Sequence, residues 1–366
     1  MGRKLKFLIL FFVNNQVLAS WAEKTLTCLS LKEKIGQFFM VATASDFHQK
    51  EELLATSLFH CPYKMDHDYI EFLIKEYAVG GIIFLYKSTI EKQIKLTNHL
   101  KSISKIPLLF GQDCEWGLNM RLYDGREYPK NIELGNLNDL EYTYQVGKEI
   151  GLQCREIGLH INFAPVADVN TNPNNLVIGK RSFGSDKKLV ADHAVAIMRG
   201  MKASGILTCA KHFPGHGDSS VDSHLGLPVL NHTKERMDEI ELYPFKKLAE
   251  AGVDAIMTAH IAFPSLDPSG KPATLSKEIL KLKNEIGFNG LMITDGLGMK
   301  ALTNYYKPGA IELEAVLAGN DILLCPLDVP KAVSLILQAI DKGKVTEEEI
   351  NEKVLKILKL KERFLN

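Results

Sequence analysis

Short apolar segments recur along this chain, and their alternation with helical patterns restricts the folds that it can adopt. Each segment is a few residues long and nearly free of charge, as expected of a strand buried on both faces of a parallel sheet. Eight such segments occur, at residues 36–41, 81–85, 108–110, 161–164, 207–210, 255–258, 291–294 and 322–325.

Segments with helical periodicity lie between these predicted strands. The clearest cover residues 189–203, 233–251, 276–286 and 347–364, with Ser276 as an expected N-cap and Gly287 as a stop. Eight strands alternating with helices predict an α/β fold, a (β/α)8 TIM-type barrel forming a single catalytic domain. The alternative is a doubly wound sheet, but the glycine-rich turn expected after its first strand is missing at Val41-Ala42-Thr43-Ala44.

Polar and titratable residues follow several of the predicted strands. Because the carboxyl ends of barrel strands open at one mouth, we expect residues that are distant in sequence to converge there. These residues are Asp113, Asp168, Lys211, His212, His260 and Asp295.

The densest group of such residues is the sequence K-H-F-P-G-H-G-D at positions 211–218, followed by D-S-H at 222–224. A purely structural loop does not need so many proton-carrying side chains, so this segment predicts an active site. In a bent loop Asp222 could orient His224, whose imidazole suits general acid–base catalysis. The alternative is an Asx turn that happens to contain a histidine.

Asp295 comes directly after the apolar segment at residues 291–294 and is flanked by Gly296. A carboxylate held in this way can act as a nucleophile toward a developing oxocarbenium ion. A helix-capping aspartate is the alternative interpretation of the position.

Two other groups of residues suit a sugar ligand. Asp113, Glu115 and Arg121 supply hydrogen-bonding groups beside Trp116, whose ring could pack against a sugar. Arg181 could donate hydrogen bonds to a ligand or make a structural ion pair, and the sequence leaves both readings open.

The histidines raise a rival interpretation, a zinc-dependent barrel hydrolase with ligands among His212, His216, His224 and His260. Such barrels usually begin with an H-x-H pair after the first strand, and residues 41–45 contain no histidine. A catalytically silent carbohydrate-binding barrel is a further alternative. We therefore expect no metal and no other cofactor.

Charge and cysteine content exclude several other classes of protein. Lys and Arg together number 44, as do Asp and Glu, so a basic surface for nucleic acid is not expected. The six cysteines include no C-x-x-C pair, and Cys209 and Cys325 lie in apolar segments that predict buried free thiols.

Residues 1–22 resemble a secretory signal peptide, with Arg3, Lys4 and Lys6 before an apolar run and small residues at 17–19. An N-terminal extension that packs on the body is the alternative, with a cytoplasmic location. The sequence favours an extracytoplasmic protein, periplasmic or secreted, with its catalytic domain at 23–366. No other segment predicts stable membrane insertion.

From position 31 to the C-terminus the chain resembles glycoside hydrolase family 3, in its single-domain bacterial β-N-acetylhexosaminidase branch. The resemblance rests on K-H-F-P-G-H-G-D with D-S-H, and on Met257-Thr258-Ala259-His260 and Pro272-Ala273-Thr274-Leu275-Ser276, which follow in the family's order. It implies a retaining exo-β-N-acetylglucosaminidase that removes terminal GlcNAc from peptidoglycan fragments (muropeptides). A GlcNAc phosphorylase using the same site is the alternative.

The resemblance also implies roles for individual residues. Asp295 matches the nucleophile that forms a covalent glycosyl-enzyme, and His224 matches the acid/base, with Asp222 as its dyad partner. The positions that match sugar-binding residues are Asp113, Arg121, Arg181, Lys211 and His212. We expect a monomer that binds a small carbohydrate.

Overall fold

Eight parallel strands form the centre of the structure, a computed structural model that describes residues 19–45 and 66–365. The strands are β1 (Phe39–Thr43), β2 (Gly81–Phe84), β3 (Leu109–Gln112), β4 (Ile161–Asn162), β5 (Leu207–Phe213), β6 (Ala255–Thr258), β7 (Leu291–Thr294) and β8 (Leu323–Leu324). They pair in the spatial order β7-β6-β5-β4-β3-β2-β1-β8. A parallel bridge from Ile293 to Ile322, the residue before β8, joins the two ends. The predicted (β/α)8 barrel in a single domain is therefore confirmed.

Helices cover the outside of the barrel. Along the described chain the α-helices are Trp21–Cys28, Leu31–Gly36, His67–Tyr77, Ile90–Ile103, Asn131–Leu137, Leu140–Glu156, Lys187–Ala203, Lys234–Arg236, Leu242–Glu250, Lys277–Leu280, Leu282–Glu285, Lys300–Thr303, Ala310–Ala318, Val329–Asp341 and Glu347–Glu362. Short 3-10 turns occur at Leu118–Met120, Gly179–Arg181 and Ala273–Leu275. One π-helix, Met237–Glu241, divides the helix that the sequence predicted over residues 233–251.

Side-chain caps explain where several helices begin. The Ser276 hydroxyl accepts a hydrogen bond from the Ile279 amide at 3.1 Å, which confirms this residue as an N-cap. Helix Lys187–Ala203 begins two residues before its predicted start, because the Asp186 carboxylate accepts a bond from the Leu189 amide at 2.8 Å.

The strands carry the core. Every residue of the eight strands is buried, which is the condition expected of strands enclosed by side chains on one face and by helices on the other. The strand ends and the loops that follow them at the carboxyl mouth are where a barrel ordinarily builds its functional pocket.

The prediction for the fifth strand was wrong at its end. Residues Lys211 and His212 were expected to follow the strand, but β5 continues to Phe213. Ala210 pairs with Ile256 and Phe213 pairs with Thr258, so β5 has one extra residue between these two pairs. This β-bulge lets two consecutive side chains turn toward the pocket, which a regular strand does not allow.

The first strand also begins later than predicted. Gly36 ends the helix Leu31–Gly36, and β1 begins at Phe39. A Cβ at Gly36 would lie 1.6 Å from the Tyr77 carbonyl oxygen, so close contact with the next helical segment explains the glycine.

The first 18 residues lie outside the described part of the chain, and so does most of the predicted signal segment. The body begins with Ser20, whose hydroxyl caps the helix Trp21–Cys28. Among the helices of the described residues, none has the length and apolar character needed to span a bilayer. Cys209 and Cys325 are both buried, as predicted.

Candidate active site

A cavity of about 150 Å³ opens at the carboxyl ends of the strands. Its walls come from β5 and β6 themselves and from the loops after β3, β4, β5 and β7, so residues distant in sequence converge there as predicted. The lining residues are Asp113, Glu115, Met120, Arg121, Val177, Arg181, Lys211, His212, His216, Ser223, His224, Met257, Asp295 and Met299.

Asp113 receives two charged donors at the cavity wall. Its Oδ1 lies 2.8 Å from Lys211 Nζ, and its Oδ2 lies 2.8 Å from Arg121 Nη2. Burial alone would raise the pKa of the Asp113 carboxyl, but the positive charges of Lys211 and Arg121 lower it below its usual value. The wall therefore carries an ionised acceptor held between two fixed donors.

Glu115 is a second buried carboxylate of the cavity wall, and it pairs with Arg181 and Lys211. Arg181 donates through Nε at 3.0 Å and through Nη2 at 2.7 Å, and Lys211 Nζ lies 2.8 Å away. Despite burial, Arg181 and Lys211 keep the pKa of Glu115 far below its usual range. Arg181 therefore makes the structural ion pair and also lines the cavity, while hydrogen bonding to a ligand stays a prediction.

Asp168 positions the histidine segment after β5. Its Oδ2 lies 2.7 Å from His212 Nδ1, and its Oδ1 accepts a bond from the His216 amide at 2.7 Å. Arg181 Nη2 lies 3.2 Å from His212 Nε2. With Arg181 donating to Nε2, the ring proton of His212 lies on Nδ1, facing the Asp168 carboxylate.

His216 differs from His212, because the described residues supply no hydrogen-bond partner for either of its ring nitrogens. Burial, and then the neighbouring His212, lower its pKa to about 4. His216 is therefore neutral near pH 7 and lines the cavity as a neutral ring.

Asp295 lies directly after β7, at the floor of the cavity. Its Oδ1 accepts a hydrogen bond from the Gly296 amide at 2.7 Å, and its own amide donates to the Thr258 carbonyl at 3.0 Å. Although burial opposes ionisation, His260, His212 and the Gly296 amide lower the pKa of the carboxyl. The result is an ionised carboxylate on a rigid strand end.

His260 contacts the turn that follows Asp295. Its Nε2 lies 2.9 Å from the Gly296 carbonyl oxygen, and its Nδ1 lies 2.7 Å from the Thr274 hydroxyl. Burial lowers the pKa of His260. Both ring nitrogens are thus occupied by protein groups that fix the turn after Asp295.

The Asp222–His224 pair forms at the opposite wall. Asp222 Oδ1 lies 2.7 Å from His224 Nδ1 and accepts a second bond from the His224 amide at 2.8 Å. The Ala301 amide donates to the Ser223 carbonyl at 3.1 Å, which ties this loop to the segment after β7. The bent loop brings the two side chains together as predicted.

The structure departs from the sequence analysis at several positions. Trp116 does not line the cavity, and Lys130 Nζ instead lies 5.8 Å from its ring centroid. Residues 19–45 and 66–365 contain no group of three His, Cys, Asp or Glu side chains placed to hold a metal. His260 also lies below the cavity, so the four histidines do not converge as a zinc site would require.

The sequence analysis did not predict that three methionines, Met120, Met257 and Met299, line the cavity. Methionine carries no motif signal, because the same residue fills apolar cores. It also missed that Asp168 anchors both His212 and His216, although its place after the fourth strand was noted.

Fold and pocket together define the class, a (β/α)8-barrel protein with a charged pocket at the carboxyl mouth and a single carboxylate at its floor. Comparison with known proteins narrows this class. The profile described as "Glycosyl hydrolase family 3 N terminal domain" matches residues 30–360.

The chain is 32% identical over 327 residues to the beta-hexosaminidase A of Pseudoalteromonas piscicida, covering 80% of this chain and 54% of that protein. A solved family 3 beta-N-acetylglucosaminidase from Paenibacillus sp. str. FPU-7 is 36% identical, with a TM-score of 0.79, over 92% of this chain and 62% of that one. A solved beta-glucoside phosphorylase, BglX bound to 2FGlc, is 25% identical with a TM-score of 0.83, over 94% and 60%.

The chain therefore belongs to glycosyl hydrolase family 3. It spans only 54% of the length of the Pseudoalteromonas relative, and a similar share of the two structural neighbours.

Proposed function

We propose that this protein is a retaining exo-β-N-acetylglucosaminidase. The observation that carries the proposal is the placement of Asp295, held ionised at the floor of the cavity, with His224 of the Asp222–His224 pair lining the same cavity. The beta-hexosaminidase and beta-N-acetylglucosaminidase relatives support N-acetylhexosaminides as the substrate class.

In the first step an Asp295 carboxylate oxygen attacks the anomeric carbon, while the His224 imidazolium protonates the leaving oxygen. Asp222 bonds Nδ1 of His224 and so orients the imidazole ring. In the second step the neutral imidazole removes a proton from water, which releases the sugar with retained configuration.

The remaining charged residues of the wall would bind the terminal sugar. Asp113 can accept from sugar hydroxyl groups, while Lys211, Arg121 and Arg181 can donate, and His212 lines the pocket beside them. Their ion pairs hold them in place before substrate arrives, so little side-chain ordering remains for the binding step.

The substrate we propose is a peptidoglycan fragment with a non-reducing terminal GlcNAc, and no cofactor is required. A cavity of about 150 Å³ suits one terminal sugar, which supports exo action. We further propose a catalytic domain at 23–366 and an exported, monomeric protein.

GlcNAc phosphorolysis is the second candidate. A neutral histidine base repels an incoming phosphate less than a carboxylate base would. The beta-glucoside phosphorylase among the structural neighbours supports the same alternative.

The test compares the wild type with Asp295→Ala on an aryl N-acetyl-β-glucosaminide, with Asp341→Ala as an exposed carboxylate control. We expect Asp295→Ala to lose nearly all turnover and Asp341→Ala to retain it. Equal activity in the wild type and Asp295→Ala would contradict the nucleophile assignment.

His224→Ala separates the two catalytic roles. Loss of a general acid costs about 10²- to 10⁴-fold, but a good aryl leaving group needs no proton, so the covalent intermediate should form in a burst. Added azide, which needs no base, should then restore turnover. A His224→Ala variant that shows neither burst nor azide rescue would contradict the acid/base role.

Two additions to the same assay test the alternatives. Loss of activity with EDTA would support the zinc-dependent interpretation over this one. Formation of a sugar 1-phosphate when phosphate is added would identify the phosphorylase instead of the hydrolase.

A further inference from the structure

A second cavity, of about 330 Å³, lies at the opposite end of the barrel from the catalytic mouth. We call it the basal cavity. Its walls are the end of helix Ile90–Ile103, the starts of β3 and β4, and the end of helix Glu347–Glu362, with Lys101, Lys105, Leu108, His160, Lys361 and Phe364 among them. Residues at this face of a barrel ordinarily serve stability, so a pocket there calls for another explanation.

The side chains around the basal cavity carry only positive charge. Lys101 and Lys105 lie at its exposed rim, while Lys361 is only 1% exposed at its inner wall. The Lys361 ammonium donates to Gln37 Oε1 at 2.6 Å, which is a neutral acceptor. Across the described residues, none of these three lysines forms an ion pair with a carboxylate.

The electrostatics of the basal cavity reflect this imbalance. Burial lowers the pKa of Lys361 to about 7, and no nearby carboxylate opposes the effect. Burial, followed by the charges of Lys101 and Lys361, lowers the pKa of His160 to about 4. A buried cation without a counterion is unfavourable, and an anion entering the cavity would relieve it.

The shape and composition of the walls narrow the class of anion. The cavity lining contains no arginine, so its charged donors are lysine ammonium groups, which bind phosphate as point charges. Phe364 stacks at 4.6 Å from His160 and, with Leu108, forms an apolar wall beside the charges. Such a wall suits the organic part of a small molecule.

We propose that the basal cavity is a binding site for a phosphate dianion, either free phosphate or a small phosphate monoester, held by Lys361 and Lys101. This site is separate from the catalytic mouth and does not depend on the function proposed above. A ligand bound there would tie helix Glu347–Glu362 to helix Ile90–Ile103 and stabilise the barrel from below.

The test is titration calorimetry of the full chain with inorganic phosphate and with glycerol 3-phosphate, at constant ionic strength in chloride. Two variants, Lys361→Met and Lys101→Met, remove one charge each from the basal cavity. Lys246→Met is the matched control, because it removes an exposed lysine that does not line this cavity.

We expect saturable binding to the wild type and to Lys246→Met, and about tenfold weaker binding or worse to the other two variants, since each loses a charged hydrogen-bond donor. Tighter binding of the ester than of phosphate would identify an organic ligand, and equal binding would identify free phosphate. Absence of binding to the wild type, or unchanged binding in both cavity variants, overturns the proposal.

Thermal unfolding checks that the variants are folded and gives a second readout. Lys361→Met should unfold at or above the wild-type midpoint without phosphate, because it removes an uncompensated buried cation, and phosphate should no longer raise its midpoint. A purely structural Lys361 would give the opposite result, a lowered midpoint with the phosphate response intact.

Proton uptake provides a third readout. At about pH 8 Lys361 is largely neutral, so binding of a dianion should draw a proton onto it, seen as a binding heat that varies with the buffer's ionisation enthalpy. Lys101, Lys105 and His160 are the other titratable groups around the cavity. His160, with a pKa of about 4, stays neutral at that pH. Proton uptake that persists in Lys361→Met would refute the role of this amine.

Discussion

Glu115→Gln tests the buried charge cluster that lines the candidate active site. Glu115 is 2% exposed and accepts hydrogen bonds from Arg181 at 2.7 Å and 3.0 Å, and Lys211 lies at 2.8 Å. Glutamine keeps the shape of the side chain but removes the charge and one acceptor oxygen. Lys211 would keep its ion pair with Asp113, whereas Arg181 would lose its ion pair with Glu115.

The cost follows from the burial of the cluster. Removing one partner of a buried ion pair costs about 3–5 kcal/mol. Unfolding entropy is about 2.1 cal/mol/K per residue, so the 366 residues give about 0.8 kcal/mol/K and a midpoint lowered by about 4–6 °C. Glu278→Gln is the control, because its partner Lys281 is exposed and such surface pairs contribute little.

The pH dependence gives the sharper assay. The folded-state pKa of Glu115 lies below its ordinary value of 4.5, so its contribution is complete above that pH and is lost as the pH falls toward the folded value. The difference in thermal midpoint between wild type and Glu115→Gln should therefore be largest near neutral pH and shrink in acid. A difference in unfolding free energy below about 0.5 kcal/mol would refute the reasoning. A difference in thermal midpoint that stays constant with pH would refute it as well.

Two further perturbations address the loops around the pocket. Asp168→Asn replaces an acceptor oxygen that faces His212 Nδ1 at 2.7 Å, so we expect about 1–3 kcal/mol lower stability and a raised KM, measured by denaturation and steady-state kinetics. An unchanged KM would contradict a positioning role. Gly217→Ala places a Cβ 1.8 Å from the Val169 carbonyl oxygen, which should cost about 1–3 kcal/mol or more, whereas Gly226→Ala meets nothing within 4 Å and should be nearly neutral. Equal unfolding free energies for the two alanine variants would contradict this account.

Much of the fold could be predicted from the sequence because buried strands leave a strong local signal. The sixth and seventh strands matched their predictions residue for residue, since each consists of three apolar residues followed by a β-branched threonine. The fifth strand did not, because Lys211 and His212 look like loop residues. Their charge is tolerated inside a strand only because Asp113 and Asp168, from other parts of the chain, pair with them.

The candidate site likewise has features that the sequence predicts and features that it does not. The strand-end rule placed Asp113 and Asp295 at one mouth, since backbone position alone decides it. The rotation of Trp116 away from the pocket depends on contacts such as that with Lys130, which a linear pattern does not contain. Side-chain direction in a loop is decided by tertiary packing, and so it became visible only in the structure.

The extra residue in β5 has a consequence for how this chain can change during evolution. The residues between Ala210 and Phe213 are Lys211 and His212, so deleting one of them would restore regular pairing with β6 and leave a single polar residue at this point of the strand. The deletion would keep the barrel and remove half of this polar pair. A one-residue gap at this point in a homologous sequence would therefore indicate a protein that keeps the barrel but lacks the paired polar side chains at the end of its fifth strand.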